Sequence, residues 1–186
     1  MTIRSEGRRM RRPIEAAMPP VLPVSAETFR EAMSRIAAAV HVVTTDGVAG
    51  LAGATMTAVT SVSDAPPTIL VCLNRSGRTS AVLQANGVFC VNTLAAGDEA
   101  LAGVFAGLGG LDPAERFATA TWTTGASGAP ILVGVRSALD CRVSQVAEVG
   151  SHTVIFGEVV AVAVAERRPA LLYLDRAYRT LAPAEG

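Results

Sequence analysis

Residues 74–80 read NRSGRTS. Two arginines, three hydroxyls and a glycine stand just before AVLQAN, a short helical stretch that Gly87 ends. Guanidinium groups, hydroxyls and the open N–H groups of a helix start are what a phosphate needs. Some twenty residues earlier, GATMTAVTS at 53–61 forms a strand of little bulk, with Gly53, Ala54 and Ala58 set among threonines. Small side chains let a flat ligand approach the backbone, so that N–H groups and hydroxyls face its edge. Together the two stretches describe a site for a flat, polar-edged, phosphorylated molecule. Taken singly, each has a plainer reading, tight packing for the strand and an ordinary polar loop for the other.

Other chemistries find less support. GLGGLD at 107–112 places Asp112 where a dinucleotide fingerprint needs its last glycine, and it follows a helix rather than a strand. GASGA at 125–129 is not the G-x-S-x-G of a nucleophile elbow. Cys72, Cys90 and Cys141 are widely spaced, and two of them sit in apolar runs, where a thiol behaves as a small hydrophobe. With two histidines in the chain, a zinc site is not expected. His41 lies within the apolar strand AVHVVTT and reads as a core or edge histidine. His152 follows Gly150 and Ser151 at a hairpin tip, where it reads equally as a solvated turn residue or as a side chain that reaches a ligand.

These residues must be held by a body that composition constrains well. The chain has 186 residues, half of them hydrophobic and 17% charged, which suits one domain with a large core. It has no lysine, so arginine supplies every fixed cation. Residues 1–23 carry five arginines against two acids, and the remainder carries eleven against fourteen. That slightly acidic body is a poor ligand for nucleic acid. No apolar run is long enough to span a bilayer, and the basic N-terminus lacks the apolar core of a signal peptide. Unpaired thiols in an odd number suit a reducing cytoplasm. Residues 1–23 are expected to be a flexible tail ending in a proline-rich stretch, with Met10 and Met18 as alternative starts, and 24–186 to be the domain.

Ser25 is placed to cap a helix with Phe29, Ala32, Met33 and Ile36 along one face. Asp46-Gly47 signals a hairpin, Pro66-Pro67 opens a strand over 68–73, and Thr79 or Ser80 caps the helix at 81–86. VFCVNTL is a buried strand, and Asp98 precedes a helix bearing Leu101, Val104, Phe105 and Leu108. GLGGLDPAERF reads as a loop. From Phe117 onward the pattern is β, with long strands turning near Gly150-Ser151, a strand at ALLYLD and a tail at RAYRTL. About seven strands with two or three short helices, not regularly alternating, indicate a mainly β fold: antiparallel strands closing into a barrel.

The stretches GATMTAVTSVSDAPPTILVCLNRSGRTS, VFCVNTL, LAGVFAG, RF, GAPIL, LDC, GSHTVIFGEV and LLY occur in the order of the flavin reductase family. Over residues 25–181 the chain resembles that family, and most of all the small reductase components of two-component flavin monooxygenases such as 4-hydroxyphenylacetate 3-monooxygenase. The resemblance implies a split, Greek-key β-barrel, a homodimer, FMN or FAD as flavin, and NADH or NADPH as hydride donor. It implies a separate flavin-dependent monooxygenase that receives the reduced flavin. Alternatives are a retained FMN that passes electrons to another acceptor, such as a cobalt corrinoid, or a flavin-binding module without turnover.

By position, the resemblance sets the strand Thr55, Met56, Thr57, Ala58, Val59, Thr60 and Ser61 along the isoalloxazine edge. It sets Asn74, Arg75, Ser76 and Ser80 at the ribityl chain and phosphate, Asn92 and Phe105 near the flavin, and His152 at the nicotinamide. An aromatic residue usual in the first motif is replaced here by Ala58 or Val59, which leaves the choice between FMN and FAD open. The chemistry would need no acid–base triad, because the flavin carries the hard step. The protein would hold nicotinamide C4 about 3–3.5 Å from flavin N5.

Overall fold

The computed structural model describes residues 23–182. The expected tail at 1–23 lies, but for Pro23, outside the described residues. These divide into two units at Met33/Ser34. The first holds helix α1 (Ala26–Ser34) but for its last residue, and the first turn of that helix is capped by the Ser25 hydroxyl accepting from Thr28 N–H at 3.1 Å. Ile36, expected on its apolar face, lies past its end.

The second unit is mainly β, and every strand pairing in it is antiparallel. In chain order it runs β1 (Ala38–Ala39), β2 (His41–Thr45), β3 (Ala52–Met56), β4 (Val59–Asp64), β5 (Pro67–Asn74), α2 (Arg78–Asn86) and β6 (Val88–Thr93). Then follow α3 (Glu99–Phe105), α4 (Pro113–Ala118), β7 (Trp122–Thr124), β8 (Pro130–Leu132), β9 (Ser137–Val149), β10 (His152–Val164), β11 (Ala170–Leu174) and β12 (Ala177–Leu181).

Seven strands form one sheet in the order β3-β2-β6-β9-β10-β5-β4. Its two edge strands, β3 and β4, are separated in sequence by Thr57 and Ala58 alone. A sheet whose opposite edges are joined by two residues must curl until those edges meet at one corner, which is the split barrel the sequence indicated. The corner is pinned by Val59 N–H to the Thr57 carbonyl (2.9 Å) and Cys72 N–H to the Ala58 carbonyl (3.1 Å). A second sheet, β1-β11-β12, and the hairpin β7-β8 flank the first.

Strands buried on both faces divide their side chains between two cores. Val42 and Cys90 point into one with Phe105, Phe117 and Leu171; Val43, Phe89 and Val91 point into the other with Leu83, Val71 and Ile155. The first core is centred on an aromatic trio, with Phe105 edge-on to Phe117 at 5.1 Å and Trp122 at 4.9 Å from Phe117. Trp122 satisfies its indole N–H on the Phe117 carbonyl at 2.9 Å.

Four local expectations need correction. Helix α2 starts a turn early, with Gly77 rather than Thr79 or Ser80 as N-cap, because the Thr79 hydroxyl donates instead to the Gly53 carbonyl at 3.1 Å. The loop expected at 107–117 contains α4, started by a capping box in which Asp112 and Glu115 each accept the other's N–H. Leu108 lies beyond α3, which ends at Phe105. RAYRTL is no tail but strand β12, paired along its whole length with β11.

Candidate active site

A cleft of about 350 Å³ opens at the corner where the sheet edges meet. One wall is the end of β3 and the corner itself: Ala54, Thr55, Met56, Thr57 and Ala58. The opposite wall is the end of β5, with Cys72, Leu73 and Asn74. The start of α2 closes one end with Gly77, Thr79 and Ser80, and His152 stands at the rim.

Each wall has a physical cause. Strand β3 is an edge, paired with β2 alone in the sheet, so its outward N–H and C=O groups have no ladder partner on the cleft side. Its small side chains keep that backbone reachable. Gly53 cannot be larger: a Cβ there would lie 2.8 Å from the Phe105 ring and 3.2 Å from the Val43 carbonyl. The Thr55 hydroxyl is turned away to donate to the Ala102 carbonyl at 2.6 Å, which fixes β3 on α3.

At the end of β5, the Asn74 carboxamide oxygen accepts from both Ser76 N–H (3.0 Å) and Ser76 Oγ (2.8 Å). This side-chain turn reverses the chain toward α2 and leaves the Asn74 NH₂ group as donor. His152 is the direct cross-strand partner of Asn74 on β10. Its Nδ1 lies 2.9 Å from the Ser151 hydroxyl, which orients the ring and leaves Nε2 for a ligand.

Seven of the residues expected at the site therefore line one cleft: Thr55, Met56, Thr57, Ala58, Asn74, Ser80 and His152. The expected single strand over 55–61 is broken at the corner, and Val59, Thr60 and Ser61 belong to β4, on the opposite sheet edge. Ser76 lies outside the lining, spent on holding Asn74. Arg75 is diverted too. Its guanidinium pairs with Glu148 of β9 at 3.1 Å, while its N–H donates to the Ser151 carbonyl at 3.0 Å. It clasps the β9–β10 hairpin tip rather than the cleft.

Asn92 and Phe105 lie in the core and not at the cleft. Asn92 is fully buried, donating from Nδ2 to the Val42 carbonyl and Thr44 Oγ1 (both 3.1 Å) and accepting Leu132 N–H at 2.8 Å. Phe105 is the centre of the aromatic trio and supports β3 from behind through its contact at Gly53. The sequence reading placed Gly77 and Thr79 at the site only as part of the NRSGRTS stretch, and it missed Cys72 and Leu73 as lining residues. The alternation along β5, which exposes every second side chain to one face, could have flagged Cys72 beside Asn74.

Burial raises the Cys72 thiol above its ordinary pKa, so it is a neutral wall of the cleft and not a thiolate. Cys90 and Cys141 are buried, and burial likewise raises them. His41 is held down to about 4 by burial and sits as neutral imidazole against the Thr93 hydroxyl at 3.1 Å. Among the described residues there is no cluster of side chains able to hold a metal.

The arrangement suits a flat ligand with a polar edge: room for a ring between small residues, an open strand edge to meet its heteroatoms, and a histidine at the mouth. Comparison with known proteins agrees. The "FMN reductase (NADH) RutF" of Ancylobacter novellus is 53% identical over 159 residues, covering 86% of this chain and 87% of that one. BorF, the flavin reductase component of a bacterial two-component tryptophan halogenase, superposes with a TM-score of 0.80 at 29% identity, over 86% of this chain and all of that one. The NADH:FAD oxidoreductase SgcE6 of Streptomyces globisporus C-1027, solved in complex with NAD and FAD fragments, gives 0.78 at 31% identity, over 89% and 98%. Residues 33–182 match the family described as the flavin reductase like domain, and the chain belongs to that family.

Proposed function

We propose that the chain is an NADH-dependent flavin reductase that takes FMN into the cleft between β3, β5 and α2. The observation that carries this is the open edge of β3, lined with small residues, facing Asn74 and His152 across one cleft. When bound, the flavin supplies the hydride-accepting chemistry. The protein's part is geometric. Ala54 and Ala58 leave space for a ring, and the unpaired N–H groups of β3 donate to its polar edge, where developing negative charge needs them. Asn74 donates from its NH₂. His152, oriented by Ser151, stands where a second ring entering from solvent would meet it.

The reduced flavin serves a separate monooxygenase. Support comes from similar structures: BorF, the flavin reductase component of a two-component halogenase, and component B of a nitrilotriacetate monooxygenase from Mycobacterium thermoresistibile. Among the described residues no helix is long and apolar enough to cross a membrane. A cytoplasmic location accords with the free thiols. The protein works as a homodimer: the far half of β10 exposes Val160, Val162 and Val164 in one apolar stretch, which a second copy would cover. Light scattering at micromolar concentration should give twice the chain mass.

The test of the activity is NADH and NADPH oxidation followed at 340 nm with FMN, FAD and riboflavin in turn. Steady NADH oxidation on adding free FMN is expected. Yellow protein after gel filtration, with no turnover of added flavin, would instead indicate a retained group or a binding module.

A further inference from the structure

Where the sheet β1-β11-β12 meets the β3–β4 corner lies a cavity of about 240 Å³. Thr55, Met56 and Thr57 line it, with Ala106 at the end of α3, Tyr173 from β11 and Tyr178 from β12. Among the described residues no charged side chain lines it. The two tyrosines are direct partners across the β11–β12 ladder, with ring centroids 5.6 Å apart in an edge-to-face arrangement. Burial, reinforced by Tyr173 and Glu99, raises the Tyr178 phenol above its ordinary pKa, so it stays a neutral hydroxyl. Thr55, Met56 and Thr57 also line the cleft, so the two cavities share one three-residue stretch.

This lining selects its occupant. A charged group would lose water there and gain no counter-charge. Tyrosines favour a flat ring, which stacks on their faces while a hydroxyl bonds its heteroatoms. The volume is below the roughly 300 Å³ at which pockets for drug-sized ligands begin, so the cavity takes one small ring system and not a whole cofactor. Among the molecules that flavin reduction brings to the cleft, a dinucleotide carries such a group: an uncharged purine tethered to the ring that reacts. Riboflavin and FMN carry none.

We propose that the Tyr173–Tyr178 cavity is an adenine subsite, filled by a dinucleotide whose other ring lies in the cleft. It rests on the reading of the chain as an NADH-dependent flavin reductase. The ligand spans the shared stretch Thr55–Thr57, its adenine against the tyrosines and its pyrophosphate outside in solvent. The adenine comes from NADH or from FAD. With FMN as the flavin, NADH is the source.

The experiment compares NADH with reduced nicotinamide mononucleotide, which lacks the adenylate, at saturating riboflavin, which has no adenine of its own. The proteins are the parent, Tyr173→Ala, Tyr173→Phe and Ala106→Leu; the last fills the cavity and removes no contact. Tyr173→Ala and Ala106→Leu should raise the KM for NADH about fivefold or more and leave the KM for the mononucleotide unchanged. Tyr173→Phe keeps the ring and should stay near the parent. Fluorescence titration of FAD and FMN separates the sources. A weakened FAD with FMN and the KM for NADH unmoved would keep the adenine subsite and assign it to the flavin dinucleotide. Equal losses for NADH and the mononucleotide would overturn the proposal, as would NADH and FAD both unchanged. Should Tyr173→Ala unfold on heating at a much lower temperature, Ala106→Leu decides alone. If the parent oxidises neither nicotinamide with any flavin, it is the reading of the chain as a flavin reductase that fails.

Discussion

His152 and Asn74 face one another across the β10–β5 ladder, so a hairpin tip and a strand end from distant parts of the chain meet at the mouth of one cleft. The pair divides the site. Asn74 is held from within by Ser76, and His152 from the rim by Ser151.

That division sets the expected behaviour of His152→Ala. The side chain is exposed at the rim, so its loss should leave the flavin dissociation constant unaltered and raise the KM for NADH. Loss of one positioned hydrogen bond costs about 0.5–1.5 kcal/mol, or roughly two- to tenfold in KM. Steady-state kinetics beside flavin titration check it; unchanged values for both would return His152 to a solvated turn.

Arg75→Ala should hardly change FMN affinity, less than about twofold, because the guanidinium is engaged with Glu148 outside the cleft. Both partners are more than half exposed, and such a pair contributes about 0–1 kcal/mol to stability. A tenfold loss of FMN binding with riboflavin unaffected would place the phosphate at Arg75 after all.

Asn92→Ala should act on stability and not on flavin affinity. The buried amide joins β2, β6 and β8, and removing it leaves Leu132 N–H without its acceptor. An unsatisfied buried group costs about 1–3 kcal/mol. Urea unfolding should show that loss, while riboflavin titration of the folded variant matches the parent.

His41 gives a pH dependence of stability. Its folded-state pKa, about 4, lies below the ordinary 6.5 because burial disfavours the charged form. Between those values the unfolded chain binds the extra proton, so stability rises with pH there. Seen from above, the loss begins near pH 6.5 and is complete near pH 4, amounting to about 1–3 kcal/mol. Unfolding free energies at pH 7 and pH 4.5 should differ less in His41→Gln than in the parent.

Local signals were legible in the sequence where one residue type has one structural consequence. Gly87 ends α2 in the left-handed region at φ 69°, Asp46-Gly47 turns β2 into β3, and Gly150-Ser151 turns β9 into β10. The candidate site was half legible. Small residues marked the β3 wall, but a run of Thr, Ala and Val does not reveal that the chain leaves one sheet edge at Met56 and joins the other at Val59. Direction is equally silent: Arg75 and Ser76 are neighbours in one polar loop, yet one turns to Glu148 and the other to Asn74. Asn92 carried a readable warning, since an amide inside VFCVNTL is buried and must be satisfied there. The capping sequence Asp112-Pro113-Ala114-Glu115 was readable too, and the glycines before it obscured it.

If the flavin ring lies against β3 in this cleft, added bulk at Ala54 must displace it. Ala54 lines the cleft, and a leucine there would fill the space the ring needs without removing any charge. Riboflavin, which has no phosphate, isolates the ring. Titration of riboflavin fluorescence against Ala54→Leu, alongside a thermal melt showing the fold intact, should give at least a tenfold weaker dissociation constant than the parent, about 1.4 kcal/mol or more. Equal riboflavin affinity in a folded Ala54→Leu protein would place the flavin elsewhere than against β3.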